Sequence, residues 1–171
     1  MSKIITTILL TLPLLTNSQP SACGSGWTYV YDFGCYYFGD TPMTWQDANN
    51  FCRSRVSILA EMKTIAQDSI LHDPVYVGPG DSFWLGMSDI DQEGVYVWNG
   101  TNEVLSPSFS SWAGNEPTGT TAENCIAATD EKIRFWSDED CSNLYRPLCF
   151  GGDPKLKCPN MFEYIEELDQ C

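Results

Sequence analysis

The sequence is poor in the side chains on which most enzymes rely. It contains one histidine, His72, and it has no Gly-rich phosphate loop and no nucleophile placed beside a base. These absences exclude the usual machinery of acyl and phosphoryl transfer. His72 falls in the last turn of a predicted short helix, where a histidine needs no chemical role. We therefore predict that the chain is not an enzyme.

Basic residues are also scarce. Nine Lys and Arg stand against 23 Asp and Glu, which gives a formal net charge of -14 at pH 7. A phosphate backbone would be repelled, so nucleic acid is excluded as a partner. Two interpretations of the acidity stay open. It either attracts cations or only keeps an exported protein in solution.

Long apolar runs are absent beyond the first residues. The single run, from Ile4 to Leu15, follows Lys3 and is too short to cross a bilayer. A basic residue followed by an apolar run and then small polar residues is typical of a secretory signal, so we predict a signal peptide over residues 1–18. The alternative is a buried N-terminal strand. We expect a secreted, extracellular protein without a membrane span.

No Cys-x-x-Cys pair occurs, which argues against a structural zinc site. The number of cysteines is even, and all lie beyond the predicted signal peptide, so oxidation to four disulfides is expected. Spacing alone leaves every pairing open. The eight residues are Cys23, Cys35, Cys52, Cys125, Cys141, Cys149, Cys158 and Cys171.

The periodicities predict two helices in the first half of the chain, with strands before and after them. One helix is expected after Thr44 and a second, shorter one after Thr64, each with a capping residue three positions further on. Two aromatic-rich strands broken at residues 32–34 precede them, and short strands with long loops follow from about residue 75. This order indicates an α+β fold.

Asn99 and Gly100 form the dipeptide most typical of a hairpin turn. With Thr101 they also form an N-glycosylation sequon on Asn99, which matters in an exported chain. The turn and the glycan are compatible, and both are predicted here.

The loop from Trp112 to Cys125 has no apolar periodicity, and it places Glu116 and Glu123 on either side of Pro117. Asp138 follows in the segment WSDEDC. Carboxylates gathered in this way suit calcium, which takes six to eight oxygen ligands in a flexible geometry. The alternative is a solvated acidic loop that binds no ion.

The order of several segments resembles the C-type lectin domain. The segments are WTYVYDFGCYYF, TWQDANNFC, FWLGMSD, WAGNEP, AENC, WSDEDC and RPLCF. The resemblance covers about Cys23 to Phe150 and implies a lectin-like domain over residues 19–150. It also implies a disulfide-stapled fold with two helices, two small antiparallel sheets and a long loop region. Residues 151–171, which open with Gly-Gly and Asp-Pro, would be a C-terminal extension.

The resemblance also implies the disulfide pairing. It pairs Cys23 with Cys35, Cys52 with Cys149, and Cys125 with Cys141. Cys158 and Cys171 lie outside the family pattern, so they are predicted to pair with each other and close the extension.

Metal ligands follow from the same resemblance. It implies calcium held by Glu116, Glu123 and Asp138, with a cis peptide bond before Pro117 that directs the flanking side chains at the ion. Asp89 and Glu93 resemble the positions that hold an auxiliary calcium in many members. Their alternative role is a polar turn after a strand.

The chain departs from the sugar-binding members at two positions. Where those members have Glu-Pro-Asn and Trp-Asn-Asp, this chain has Thr118 after the proline and Ser137 before Asp138. A hydroxyl cannot offer a calcium ligand and an N–H donor at once as an amide does, so both ion and sugar binding should weaken. The predicted sugar-binding residues are Glu116, Thr118, Glu123, Ser137 and Asp138.

These features together predict a secreted, calcium-dependent carbohydrate-binding lectin. Glu116 before the proline resembles the mannose-type site, and the implied partners are glycans on microbial or cell surfaces, with a role in innate immunity. The alternative is a protein-binding or extracellular-matrix module of the same fold that does not bind sugar. The two glutamates do not predict glycoside hydrolysis, because calcium would keep both ionised and leave no acid. The sequence leaves homo-oligomerisation open.

Overall fold

The computed structural model describes residues 23–30 and 32–151. The predicted signal peptide and the predicted bridge between Cys158 and Cys171 lie outside these residues. Among the helices described, none has both the length and the apolar character that crossing a bilayer requires.

Two α-helices, two 3₁₀ helices and nine strands make up the described part of the chain. The helices are α1 (Trp45–Arg53) and α2 (Ile65–Asp68), and the 3₁₀ helices cover Ser69–His72 and Asp130–Lys132. The strands are β1 (Thr28–Val30), β2 (Gly34–Phe38), β3 (Ser57–Leu59), β4 (Phe83–Ser88), β5 (Val97–Trp98), β6 (Glu103–Val104), β7 (Cys125–Ala128), β8 (Trp136–Glu139) and β9 (Arg146–Gly151). The α+β class predicted from the sequence is confirmed.

The predicted helix starts are confirmed. The Thr44 hydroxyl accepts a hydrogen bond from the Asp47 amide at the start of α1, and Thr64 does the same for Gln67 at the start of α2. Each of these bonds satisfies a backbone N–H that has no partner inside the helix. His72 ends the first 3₁₀ helix, where its Nε2 lies 3.4 Å from Asp68.

Strand β9 joins the two sheets. It pairs antiparallel with β2 on one edge and with β3 on the other, since both strands pair with Cys149 and Phe150. Its first residues pair in parallel with β4 through Phe83–Arg146 and Trp84–Pro147. Strand β4 pairs antiparallel with β5 and β7, and β7 carries β8. The prediction of two antiparallel sheets therefore needs one addition, because a single parallel pairing connects them.

Three disulfides hold this framework together. They join Cys23 to Cys35, Cys52 to Cys149 and Cys125 to Cys141, which are the pairings that the family resemblance implies. The second bridge ties α1 to the central strand β9. Both of its cysteines are fully buried in a small core cluster that also contains Trp45, Leu59 and Trp84.

The predicted hairpin forms, but its turn is longer than the dipeptide suggested. Strands β5 and β6 pair at Trp98 and Glu103, which leaves a four-residue loop over residues 99–102. The left-handed residue of this loop is Asn102, at φ 57°. Gly100 serves another purpose, since its N–H donates to the buried Glu61 carboxylate at 2.8 Å. Contact with Glu61 therefore shapes the turn.

Asn99 is half-buried in this loop, and its Oδ1 accepts a hydrogen bond from Ser88 Oγ at 3.0 Å. Glycosylation of Asn99 remains a prediction. A glycan there would be attached to a side chain that already packs against β4.

Candidate functional site

The acidic loop is held against strand β8 at its base. The N–H of Ala113 donates to the Trp136 carbonyl at 2.8 Å, and the N–H of Trp136 donates to the Ser111 carbonyl at 2.7 Å. The bond between Glu116 and Pro117 is cis, as the family resemblance implies. Because Asp138 lies in β8 two residues after Trp136, this pairing brings the proline turn and Asp138 to the same place.

Asp138 is buried and receives donors from the tip of the loop. Its Oδ1 accepts from the Thr118 N–H at 2.9 Å, and its Oδ2 accepts from the Gly119 N–H at 3.0 Å. Burial opposes ionisation of Asp138. The backbone donors Thr118 and Gly119 outweigh burial, so the pKa of Asp138 is lowered. The carboxylate therefore stays ionised and organises the loop.

Glu116 lies deeper than a loop carboxylate usually does, with a side chain 6% exposed. Its Oε1 lies 2.9 Å from the Lys132 ammonium, whereas its buried Oε2 has no hydrogen-bond partner among the described residues. Burial raises the pKa of Glu116. Lys132 opposes this rise, and the nearby Asp138 carboxylate adds to it. Glu116 is thus a buried acid with one oxygen satisfied and one free.

Glu123 faces two loop hydroxyls. Its Oε2 accepts from Thr118 Oγ1 at 2.6 Å and from Thr120 Oγ1 at 2.8 Å. Thr118 thus bridges the site, because its N–H holds Asp138 while its hydroxyl holds Glu123. The structure brings Glu123 and Asp138 together through this one residue.

Ser137 is buried on β8, and its hydroxyl donates to Glu139 at 2.8 Å. The other oxygen of Glu139 accepts from Asn143 and from the Tyr145 hydroxyl. The Ser137 hydroxyl therefore donates to a neighbouring polar cluster around Glu139. Glu116, Glu123 and Asp138 are held by other partners.

The predicted auxiliary residues differ in burial. Asp89 is 2% exposed, with Oδ2 accepting the Gly94 N–H at 2.8 Å and with a buried Oδ1 that has no partner within residues 23–30 and 32–151. Glu93 is exposed. The Tyr96 hydroxyl donates to Asp138 Oδ2 at 3.4 Å, and it also feels the charges of Asp89 and Glu93. Burial first, and then these carboxylates, raise the pKa of Tyr96.

Across the described part of the chain, no group of three or more acidic, histidine or cysteine side chains lies close enough to hold a metal ion. Glu116, Glu123 and Asp138, which are predicted to share a calcium ion, therefore do not converge closely enough to ligate one ion in this arrangement. Two observations still fit calcium. The free oxygens of Glu116 and Asp89 are hard ligands, and a buried carboxylate oxygen without a partner is costly unless a cation or water satisfies it.

Sequence analysis missed two members of this site, Lys132 and Tyr96. Neither belongs to the acidic motifs, and each reaches the site through a different segment of the chain. Lys132 ends a 3₁₀ helix before β8, and Tyr96 precedes β5. Lys132 could have been found from the sequence only because it is a lysine within an acidic segment, in the stretch TDEKIRF.

The Lectin C-type domain family model matches residues 41–150 of the chain. Among curated proteins, the C-type lectin mosGCTL-7 of Aedes aegypti is 32% identical over 119 residues, which cover 62% of this chain and 75% of that protein. Lectin BRA-3 of Megabalanus rosa is 26% identical over 156 residues, which cover 90% of this chain and 91% of that lectin.

Solved structures show the same fold. The mouse scavenger receptor C-type lectin carbohydrate-recognition domain aligns with a TM-score of 0.65 at 23% identity, covering 74% of this chain and 94% of that one. A calcium-independent type II antifreeze protein aligns with a TM-score of 0.64 at 22% identity, covering 74% and 92%. Identities this low carry the fold and no more.

Proposed function

This chain belongs to the C-type lectin domain family, and from that membership we propose that it is a secreted, calcium-dependent carbohydrate-binding lectin. The observation that carries the proposal is the buried Oε2 of Glu116, which has no hydrogen-bond partner among the described residues. Glu116 directly precedes the cis bond to Pro117 and neighbours the ionised Asp138. An unpaired carboxylate oxygen in such a place is stabilised by a cation. The family membership makes calcium the first candidate.

Glu116, Glu123 and Asp138 would hold the ion, and Asp89 with Glu93 would hold an auxiliary one. When bound, calcium supplies two coordination positions to neighbouring hydroxyls of a sugar. The chain's own groups do the rest. Asp138 orders Thr118 and Gly119 at the tip of the loop, and Glu123 fixes the two threonine hydroxyls.

Glu116, before Pro117, sets which type of sugar binds. Thr118, after Pro117, sets how tightly the sugar binds. An acid at the first position favours mannose-type ligands, which present two vicinal equatorial hydroxyls. Thr118 replaces the amide that would donate an N–H to one of those hydroxyls, and its own hydroxyl already donates to Glu123 at 2.6 Å. Binding to a single site should therefore be weak, and useful affinity would need several sites together.

The extracellular setting follows from the predicted signal peptide and the disulfides, whereas the proposed partners and role follow from family resemblance alone. We place the protein outside the cell, with glycans of microbial or cell surfaces as its partners and innate immunity as its role. Residues 19–150 would carry the binding function, and the extension over residues 151–171 would be closed by its own bridge.

Affinity chromatography tests the proposal. The secreted chain should be retained on mannan resin in calcium, released by a chelator, and retained poorly on galactose resin. Glu116→Gln should abolish retention, because the substitution removes the charge of the central ligand. Glu103→Gln is the matched control, since Glu103 pairs with Lys63 at 2.8 Å in the distant hairpin and carries the same charge.

The second candidate is a protein-binding module that uses the same fold without sugar. The ion pair between Lys132 and Glu116 favours this candidate, because it satisfies one of the two Glu116 carboxylate oxygens without any metal. Passage through mannan and galactose resins in calcium, together with a melting temperature that does not respond to calcium, would support this candidate and contradict the first.

A further inference from the structure

A protein cation already contacts one predicted ligand of the proposed calcium site. The ammonium of Lys132 contacts Glu116 Oε1 at 2.9 Å, and the two side chains are 40% and 6% exposed. The lysine therefore reaches from the surface to a buried carboxylate. A buried carboxylate is stable only when it is paired, so this contact has structural weight that an exposed ion pair lacks.

The backbone around Lys132 fixes the position of this side chain. The 3₁₀ helix Asp130–Lys132 is followed by Ile133 and Arg134, both in the left-handed region at φ 54° and 62°. A β-branched residue such as Ile133 rarely adopts that conformation. Here it is maintained by the Arg134 N–H, which donates to the Thr129 carbonyl at 2.7 Å.

The Arg134 side chain secures the same turn from the other side. Its guanidinium donates to Asp130 at 3.0 Å and to the Gly78 carbonyl at 2.6 Å. These contacts tie the turn to a separate loop of the domain. Lys132 is therefore presented to Glu116 by a turn that is anchored on both sides.

An ammonium and a calcium ion cannot share Glu116 without cost. Calcium lies about 2.3–2.6 Å from its oxygen ligands, so an ion on this carboxylate would stand within a few ångströms of the lysine charge. Like charges at that distance repel, and the repulsion is stronger where one group is buried. Calcium would have to displace the lysine from Oε1 or accept a weakened ligand.

We propose that Lys132 is a tethered cation that competes with calcium for Glu116. It sets the calcium affinity of the site low and keeps the loop assembled when calcium is absent. The inference rests on the proposed calcium-dependent function and names the residue that tunes it. It makes Lys132 a residue that determines the calcium affinity of the site.

Calorimetric titration of the full secreted chain with calcium tests this inference. Lys132→Met keeps most of the unbranched apolar part of the side chain and removes its charge, and it should tighten calcium binding by about tenfold. Lys63→Met is the matched control. Lys63 pairs with Glu61 and Glu103 outside the loop, and its loss changes the net charge by the same amount. The control should bind calcium as the unmodified chain does.

Thermal melting gives a second readout that does not involve sugar. Without calcium, Lys132→Met should melt below the unmodified chain, because Glu116 loses its only partner among the described residues. With saturating calcium the order should reverse or the gap should close. If the methionine variant does not fold, Lys132→Gln replaces it, since an amide can still donate to Glu116 but carries no charge.

Each outcome decides the question. Tighter binding in the Lys132 variant alone supports the inference, as does binding that appears only in that variant. Equal dissociation constants in all three proteins overturn it while leaving the calcium function standing. If no protein binds calcium up to about 10 mM, above the range of extracellular calcium modules, then the proposed function and this inference both fail.

Discussion

Thr118 has more roles than its place in an exposed loop suggests. Its N–H holds one oxygen of Asp138, and its hydroxyl holds one oxygen of Glu123 at 2.6 Å. The backbone role would survive every substitution except proline, because proline alone has no backbone N–H. The side-chain role would not. Under the proposed lectin function, position 118 is therefore where sugar affinity can be changed while the backbone contact that holds the loop is kept.

Replacing Thr118 with Asn should strengthen mannose binding. The amide offers a carbonyl oxygen and an N–H together, so a sugar hydroxyl gains a neutral hydrogen bond worth about 0.5–1.5 kcal/mol. That corresponds to an affinity about 2- to 12-fold higher. Titration with a mannose ligand in calcium measures it, and galactose binding should stay poor.

The control for this substitution is Thr120→Asn. Thr120 also donates to Glu123, at 2.8 Å, but it lies outside the Glu-Pro-Thr segment. Thr118→Asn creates a glycosylation sequon with Thr120, so all proteins should be produced by bacterial export. An equal gain in both variants, or no gain in either, would refute the amide argument.

At the scale of secondary structure, the close approach of β3 and β4 determines how the two sheets meet. The Gly86 N–H donates to the Ala60 carbonyl, next to β3, at 2.9 Å. On the other side of β4, the Asn99 N–H, next to β5, donates to the Gly86 carbonyl at 2.7 Å. A Cβ at position 86 would lie 2.5 Å from the Leu59 carbonyl oxygen. Only glycine allows backbones to approach this closely.

Gly86→Ala should lower the free energy of unfolding by about 3 kcal/mol, the upper part of the range for overpacked sites, because the clash is with backbone atoms that cannot rotate away. Gly114→Ala is the matched control. A Cβ there meets nothing within 4 Å, so the change should stay within about 0.5 kcal/mol. Urea unfolding measures both. A Gly86 variant as stable as the Gly114 variant would show that β3 and β4 can separate freely.

For the molecule as a whole, the disulfides contribute according to the length of chain that they close. The bridge between Cys52 and Cys149 spans 97 positions and links the first helix to the last described strand, whereas the bridge between Cys23 and Cys35 spans 12. A longer closed loop removes more freedom from the unfolded chain. The first bridge should therefore dominate stability.

Replacing both Cys52 and Cys149 with alanine should cost about 2 kcal/mol more than replacing Cys23 and Cys35, from loop entropy alone. Lost packing in the core would add to this difference, since Cys52 and Cys149 are fully buried. Free energies of unfolding in urea compare the two double variants. Equal losses would mean that strain or residual structure in the unfolded chain, and not loop length, controls the effect.

Much of the architecture could be read from the chain itself. Thr44 and Thr64 predict the helix starts correctly because capping is a local interaction between residues three positions apart. The order of motifs identified the family, and with it the pairing of six cysteines. Strand β3 was not predicted. It has only three residues, all of them buried, so it shows no alternation that separates it from a loop.

The functional site also has one part that the sequence predicts and one part that only the structure shows. The sequence by itself determined which acids are available, Glu116, Glu123 and Asp138, because residue identity and the neighbouring proline are local facts. Only the tertiary structure decided what each acid meets, since Lys132 and Tyr96 reach the site from other segments of the chain. Ion pairs and burial depend on distances between remote residues, which local pattern does not encode. That is why the sequence indicated a cation site and the fold revealed a cation of its own beside Glu116.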